Sequence, residues 1–152
     1  MWLVSDALTR HGNSHILLWL FSCLSSAGLG AFENGLGPLF QSERYGPEVA
    51  YAFDVSAYPA GAKFDVTMYF AEIFFNATGE RVFNVYIEDL QTPVLANLDL
   101  VDKVGPLVAT SYTEKVTVQD GALNLLFQTV TPATVGDAKI SGIKITYDAT
   151  NQ

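Results

Sequence analysis

The stretch Tyr69-Phe-Ala-Glu-Ile-Phe-Phe-Asn-Ala-Thr-Gly-Glu-Arg-Val-Phe-Asn-Val-Tyr-Ile87 decides how this chain folds. Leading into it, Phe64, Val66, Met68 and Phe70 alternate with Asp65, Thr67 and Tyr69. Successive side chains of a strand point to opposite faces, so this period of two describes a half-buried strand. Past the middle the alternation resumes, with Phe83, Val85 and Ile87 inward and Asn84, Tyr86 and Glu88 outward. Asn76-Ala-Thr-Gly79 between them supplies a glycine tolerant of positive φ, so the two strands are expected to form a hairpin. Phe74 and Phe75 break the pattern at its mouth. Adjacent residues of a regular strand cannot both enter one core, so one of these rings is expected to face outward.

A chain of 152 residues with 49% hydrophobic content has the size and apolar supply of one domain with a real core. Its net charge of −8 argues against nucleic acid or an anionic membrane surface as partner, because both are bound by basic patches. Upstream, Arg10 and His11 precede the apolar run Ile16-Leu-Leu-Trp-Leu-Phe-Ser-Cys-Leu24, and Ser25, Ser26, Ala27 and Gly28 follow. That order of charged, apolar and small residues is the order of a secretory signal. Residues 1–27 are therefore expected to be a signal peptide cut after Ala27, residues 28–38 a linker, and residues 39–148 the folded domain. The expected location is the secretory pathway, either extracellular or in the endoplasmic reticulum lumen. The apolar run is shorter than the ~20 residues a bilayer span takes, so a membrane enters only if the segment stays uncleaved as an anchor. A buried helix is the plain alternative for this segment.

The single cysteine, Cys23, and the two histidines, His11 and His15, all lie in the segment to be removed. A mature domain without them excludes a disulfide framework, thiol or Ser–His catalysis, and a zinc site built from nitrogen and sulfur ligands. No catalytic residue, metal or cofactor is expected. Further strands are expected at 50–55, 94–100, 113–118, 123–128 and 140–147. Asp120-Gly121 reads as a second hairpin turn, since type I′ turns need positive φ at both central positions. Short strands at regular spacing, with no helix pattern after the leader, indicate an all-β antiparallel sandwich.

Four segments then carry a resemblance: Leu39-Phe-Gln-Ser-Glu-Arg-Tyr45, Tyr69-Phe-Ala-Glu-Ile-Phe-Phe75, Arg81-Val-Phe-Asn-Val-Tyr-Ile87 and Asn97-Leu-Asp-Leu-Val-Asp-Lys-Val-Gly105. In order and spacing they resemble the malectin domain, and Asp137-Ala-Lys-Ile-Ser-Gly-Ile143 resembles the closing segment of that family. The resemblance implies a jelly-roll-like β-sandwich that binds glucose-containing oligosaccharides without catalysis. It implies a site of loop aromatics and one acidic residue, which fall on Tyr45, Phe74, Phe75 and Asp137. The first ring of the pair is commonly Tyr in the family, so Phe74 lacks one hydroxyl for sugar binding. The family also opens with strands and a further ligand Tyr where this chain has its leader-like segment, so the domain is expected to be truncated on that side.

The residues fit such a ligand on chemistry alone. A pyranose has apolar C–H faces and polar hydroxyl edges, which its binders meet with flat aromatic rings and carboxylates. Each residue also has a plainer reading: a Phe beside a turn as core edge, Tyr45 as a packing residue, Asp137 after Gly136 as a turn residue. Glu72 is expected to hold loop N–H groups rather than ligand. Asn76-Ala-Thr78 is the one N-glycosylation acceptor pattern in the chain and directly follows Phe75. Two other classes stand beside the sugar binder. A glycoside hydrolase would need paired carboxylates, for which Glu72, Asp99 and Asp137 are available without any catalytic motif linking them. A protein-interaction or adhesion module would use a sheet face.

Overall fold

The computed structural model describes residues 4–11, 14–21, 37–130 and 135–149. The small-residue end of the expected leader, the expected linker up to residue 36 and loop residues 131–134 lie outside them. The strands are β1 (Val4–His11), β2 (Ser14–Phe21), β3 (Arg44–Gly46), β4 (Glu48–Asp54), β5 (Ala62–Ala71), β6 (Phe83–Ile87), β7 (Leu95–Leu98), β8 (Ala109–Val118), β9 (Ala122–Thr129), β10 (Ala138–Ile140) and β11 (Gly142–Tyr147). A 3-10 turn spans Gly37–Gln41, and a five-residue helix α1 spans Leu100–Val104. One sheet has the order β1-β2-β11-β5-β8, a second β4-β9-β6-β7, and β10 with β3 forms a two-stranded ribbon. All of these strand pairs are antiparallel. The molecule is an all-β sandwich.

Alternation named the inward residues, but Tyr86, expected outward, is buried as well. Phe64, Val66, Met68 and Phe70 of β5 are buried, as are Phe83, Val85 and Ile87 of β6. Both expected hairpins, however, are absent. β5 pairs with β8 and β11, whereas β6 pairs with β9 and β7, so residues 72–82 form an arch from one sheet to the other. β8 and β9 also lie in different sheets, and Asp120-Gly121 turns between them. The reason is that alternation states which side of a strand is apolar and says nothing of its hydrogen-bonded neighbour. The turn chemistry is nevertheless used locally. The Ala122 N–H donates to Asp120 Oδ1 at 3.1 Å, and Gly121 has φ +80°. A side chain there would begin 3.1 Å from Ser56 Cα. The Val55 N–H reaches the Gly121 carbonyl at 2.8 Å and the Gly61 N–H reaches that of Val118 at 2.8 Å. Two neighbouring arches thus bond each other and close one end of the sandwich.

Facing the other sheet, the Phe70 ring meets Phe83 at 5.9 Å and Phe127 at 6.2 Å between centroids. The expected strand 140–147 is divided at Ser141, whose N–H donates to the Tyr69 carbonyl at 3.0 Å. Its first part joins β3 and its second part joins β5. The segment given to a leader forms β1 and β2 over its described residues, and β2 pairs along β11. The alternative of a buried helix there does not hold. The strand expected over 94–100 stops at Leu98, where α1 begins after Asp99. Asp99 caps that helix by accepting from the Asp102 N–H at 3.2 Å. The pattern Asp-x-x-Asp ahead of an apolar residue is a capping signal that could have revealed it.

On the second sheet, Tyr51 stacks on Phe53 at 5.8 Å, and the Arg44 guanidinium lies 4.9 Å from the Tyr51 ring centroid. Burial pushes the Tyr51 phenol up from 10.0 to about 12, against the opposing pull of Arg44. The unfolded chain therefore gives up this proton first, and stability is lost as pH rises from 10 towards about 12. Urea midpoints measured across that interval should fall less steeply for Tyr51→Phe than for the wild type.

Candidate ligand-binding site

The site is built on the arch that follows β5. Glu72 is 1% exposed, and its Oε1 accepts from the Phe74 N–H at 2.9 Å and the Phe75 N–H at 3.1 Å. The carboxylate holds the loop as expected. Two successive amides bound to one oxygen bend the chain sharply, so the adjacent rings part company: Phe74 is 74% exposed while Phe75 is half-buried. The rings remain in edge contact at 4.9 Å. Farther along, Glu80 accepts from the Ala77 N–H at 2.9 Å, and Gly79, with φ +81°, donates to Asp99 Oδ2 at 2.6 Å. The arch is thus tied to the start of α1.

Beneath the arch lies a group of four charges that the sequence did not announce. Arg81 Nε pairs with Glu72 Oε2 at 2.9 Å and Arg81 Nη2 with Glu43 Oε1 at 3.6 Å. Lys139 pairs with Glu43, lies 3.8 Å from Glu72 and donates to the Ala71 carbonyl. Lys139 is 0% exposed and Arg81 is 6% exposed. Burial drives the Lys139 ammonium below the usual lysine range, while the carboxylates of Glu43 and Glu72 oppose that shift. Buried charges persist when each is met by an opposite partner, and here two anions face two cations.

Of the residues singled out from the sequence, this cluster touches Phe75 and Asp137 through Arg81. The Arg81 guanidinium lies 4.9 Å from the Phe75 ring centroid, and its Nη1 donates to the Asp137 carbonyl at 2.6 Å. Gly136 packs so closely that a Cβ there would stand 2.2 Å from Phe75 Cε2. Tyr45 is directly opposite Lys139 in the β3–β10 ladder, so the two side chains leave the same face of the ribbon. Tyr45 is 64% exposed, and Asp137 is half-buried. Leu107 joins the same end through its N–H, which donates to the Glu72 carbonyl at 2.8 Å.

The three carboxylates considered for hydrolysis part ways. Glu72 is engaged in the ion pair and the loop and Asp99 in the helix cap and Gly79, whereas Asp137 is half-buried and bonded to Arg81 through its carbonyl. Among the described residues no group of three or more His, Cys, Asp or Glu is placed to hold a metal ion. Among them, too, no helix is long and apolar enough to cross a membrane.

The model of the malectin domain matches residues 28–150. The chain belongs to the malectin domain family. Solved structures with this fold include the plant receptor-like kinase ANX2, with a TM-score of 0.65 at 15% identity over 95% of this malectin domain chain and 40% of that chain. The ANX2 ectodomain from Arabidopsis thaliana gives 0.64 at 16% identity, over 74% of this chain and 34% of that one. A structure of the plant peptide RALF23 in complex with FER and LLG2 gives 0.64 at 15% identity, over 75% and 33%. At such identities the likeness shows the fold alone. This malectin domain spans two-fifths or less of those three chains. No curated protein matches it.

Proposed function

We propose that this malectin domain is a non-catalytic binding module that takes a saccharide, in particular a glucose-containing oligosaccharide, at the rim formed by Tyr45, Phe74, Phe75 and Asp137. One observation carries the reading: the Phe74 ring is 74% exposed on a loop whose backbone is fixed by a buried carboxylate. A ring left in water on a rigid support serves a partner better than it serves the core. Its flat face suits the C–H face of a pyranose, with Tyr45 and Asp137 as polar groups for the hydroxyl edge. Phe75, pinned between Arg81 and Gly136, acts mainly as backing for Phe74.

Titration against gluco-oligosaccharides of different linkage, with the same sugars assayed for cleavage, tests the reading. Phe74→Ala should cost about 1–3 kcal/mol of binding, by analogy with aromatic–base stacking, and should alter melting little. Asp137→Asn should weaken binding at nearly constant volume, because it removes charge-assisted acceptors. If Phe74→Ala and Phe75→Ala both unfold the domain and neither changes affinity in the folded fraction, the site lies elsewhere. Release of reducing ends would mean an enzyme.

A second reading rests on the exposed apolar side chains of Leu107, Val108 and Val135, 49%, 44% and 82% exposed. Exposed apolar side chains suit a peptide or protein partner, and in that case the saccharide titration would show no binding. For either ligand we propose a secretory route, with residues 1–27 removed as a leader and Asn76, exposed beside Phe75, as a glycan acceptor. Removal of the leader would unpair the edge of β11 now covered by β2. Mass spectrometry of the mature protein from a secreting host decides both points: an intact Met1 and unmodified Asn76 would refute them.

A further inference from the structure

We infer that Arg81 and Glu72 are positioning residues for the saccharide rim, setting the spacing between its aromatic pair and its acidic member. The inference rests on the saccharide reading above. Glu72 presents one oxygen to the Phe74 and Phe75 amides and the other to Arg81 Nε. Arg81 then spends a different part of its guanidinium on each neighbour: Nε on Glu72, Nη1 on the Asp137 carbonyl, Nη2 on Glu43 and its flat face towards Phe75. A continuous path of short polar contacts therefore joins the aromatic pair to Asp137, its last step bridging the 56 residues between Arg81 and Asp137. Neither residue is placed to touch a ligand, since Glu72 is 1% and Arg81 6% exposed.

Only a planar fork can hold these four neighbours together. A lysine ammonium is a compact point charge on a flexible stem and cannot bond a carboxylate and a carbonyl while covering a ring. Arg81→Lys keeps the buried positive charge and loses the geometry. Glu72→Gln keeps an acceptor near the two amides and loses the ion pair. The pair of variants thus separates rim geometry from overall charge balance.

The test uses the intact chain and reads two quantities on each variant at matched global stability. One is amide hydrogen exchange at Phe74, Phe75 and the residues flanking Asp137, which reports local opening without any ligand. The other is affinity for the tightest-binding member of the gluco-oligosaccharide panel. In Arg81→Lys, exchange at both halves of the rim should speed up and affinity should fall by about tenfold or more, the loss expected when a charge-assisted bond goes. Glu72→Gln should move the same two readouts in the same direction. Folded variants with wild-type exchange and affinity would overturn the inference. So would a uniform rise in exchange across both sheets, which would mark the pair as general scaffold. If the wild type binds no member of the panel, the saccharide reading fails, and the exchange pattern alone still decides whether these residues set the rim. Should Arg81→Lys fail to fold, Glu72→Gln carries the same decision.

Discussion

Phe83→Ala lowers the unfolding free energy by about 3–5 kcal/mol, the range found when a fully enclosed aromatic ring is cut back to a methyl group. Phe83 is 0% exposed and opens β6, which lies between β9 and β7 in its sheet. Its backbone partners are Leu98 on one side and Thr129 on the other. Its ring is 5.9 Å from that of Phe70 in the opposite sheet, and Phe70 in turn contacts Tyr112 at 6.1 Å and Phe127 at 6.2 Å. Removing the ring opens a hole between two hydrogen-bonded sheets whose backbones cannot close on it. The lost transfer energy and the cavity therefore add. Chemical denaturation checks the figure, and a loss below about 1 kcal/mol would show that the ring is not enclosed between the sheets.

Lys139→Met is expected to cost about 3–5 kcal/mol, the penalty of stranding buried charge, although methionine fills much of the same volume. The substitution leaves Glu43 and Glu72 facing Arg81 alone and deprives the Ala71 carbonyl of its donor. Adding Glu43→Gln to Lys139→Met restores one anion against one cation, so the double variant should recover part of the loss. The pH dependence has a definite sign. Burial holds the folded-state pKa of Lys139 below 10.5, so below that pH the unfolded chain binds the extra proton. The contribution of Lys139 to stability therefore rises with pH towards 10.5, and Lys139→Met abolishes that component. Urea titrations of the three proteins at several pH values measure both effects. A single variant as stable as the wild type would mean that the ammonium compensates no buried anion.

Much of the arch after β5 was legible before the fold was known. The adjacency of Phe74 and Phe75 required one ring to leave the core, and Phe74 does. An acidic residue just before a non-repeating aromatic pair pointed to a side chain bonding loop amides, which Glu72 does. The alternation in β5 and β6 named the buried phenylalanines correctly but left out the Tyr86 ring, which is buried on the other face. The two hairpins failed for a physical reason. A Gly-containing turn allows the chain to reverse but leaves open whether the second strand lies beside the first or across the core from it.

By itself the sequence determined the local facts: which face of each strand is apolar, where the chain turns, and which aromatic pair cannot be wholly buried. Those follow from the period of side chains along an extended backbone and from the few conformations each residue allows. Only the tertiary structure decided which strands pair, that residues 72–82 cross between sheets, and that Lys139 and Arg81 are buried at all. A buried charge is tolerable only where its counter-charges converge. Those of Lys139 are supplied by Glu43 and Glu72, with the Ala71 carbonyl 68 residues away in the chain, so no local window could show them.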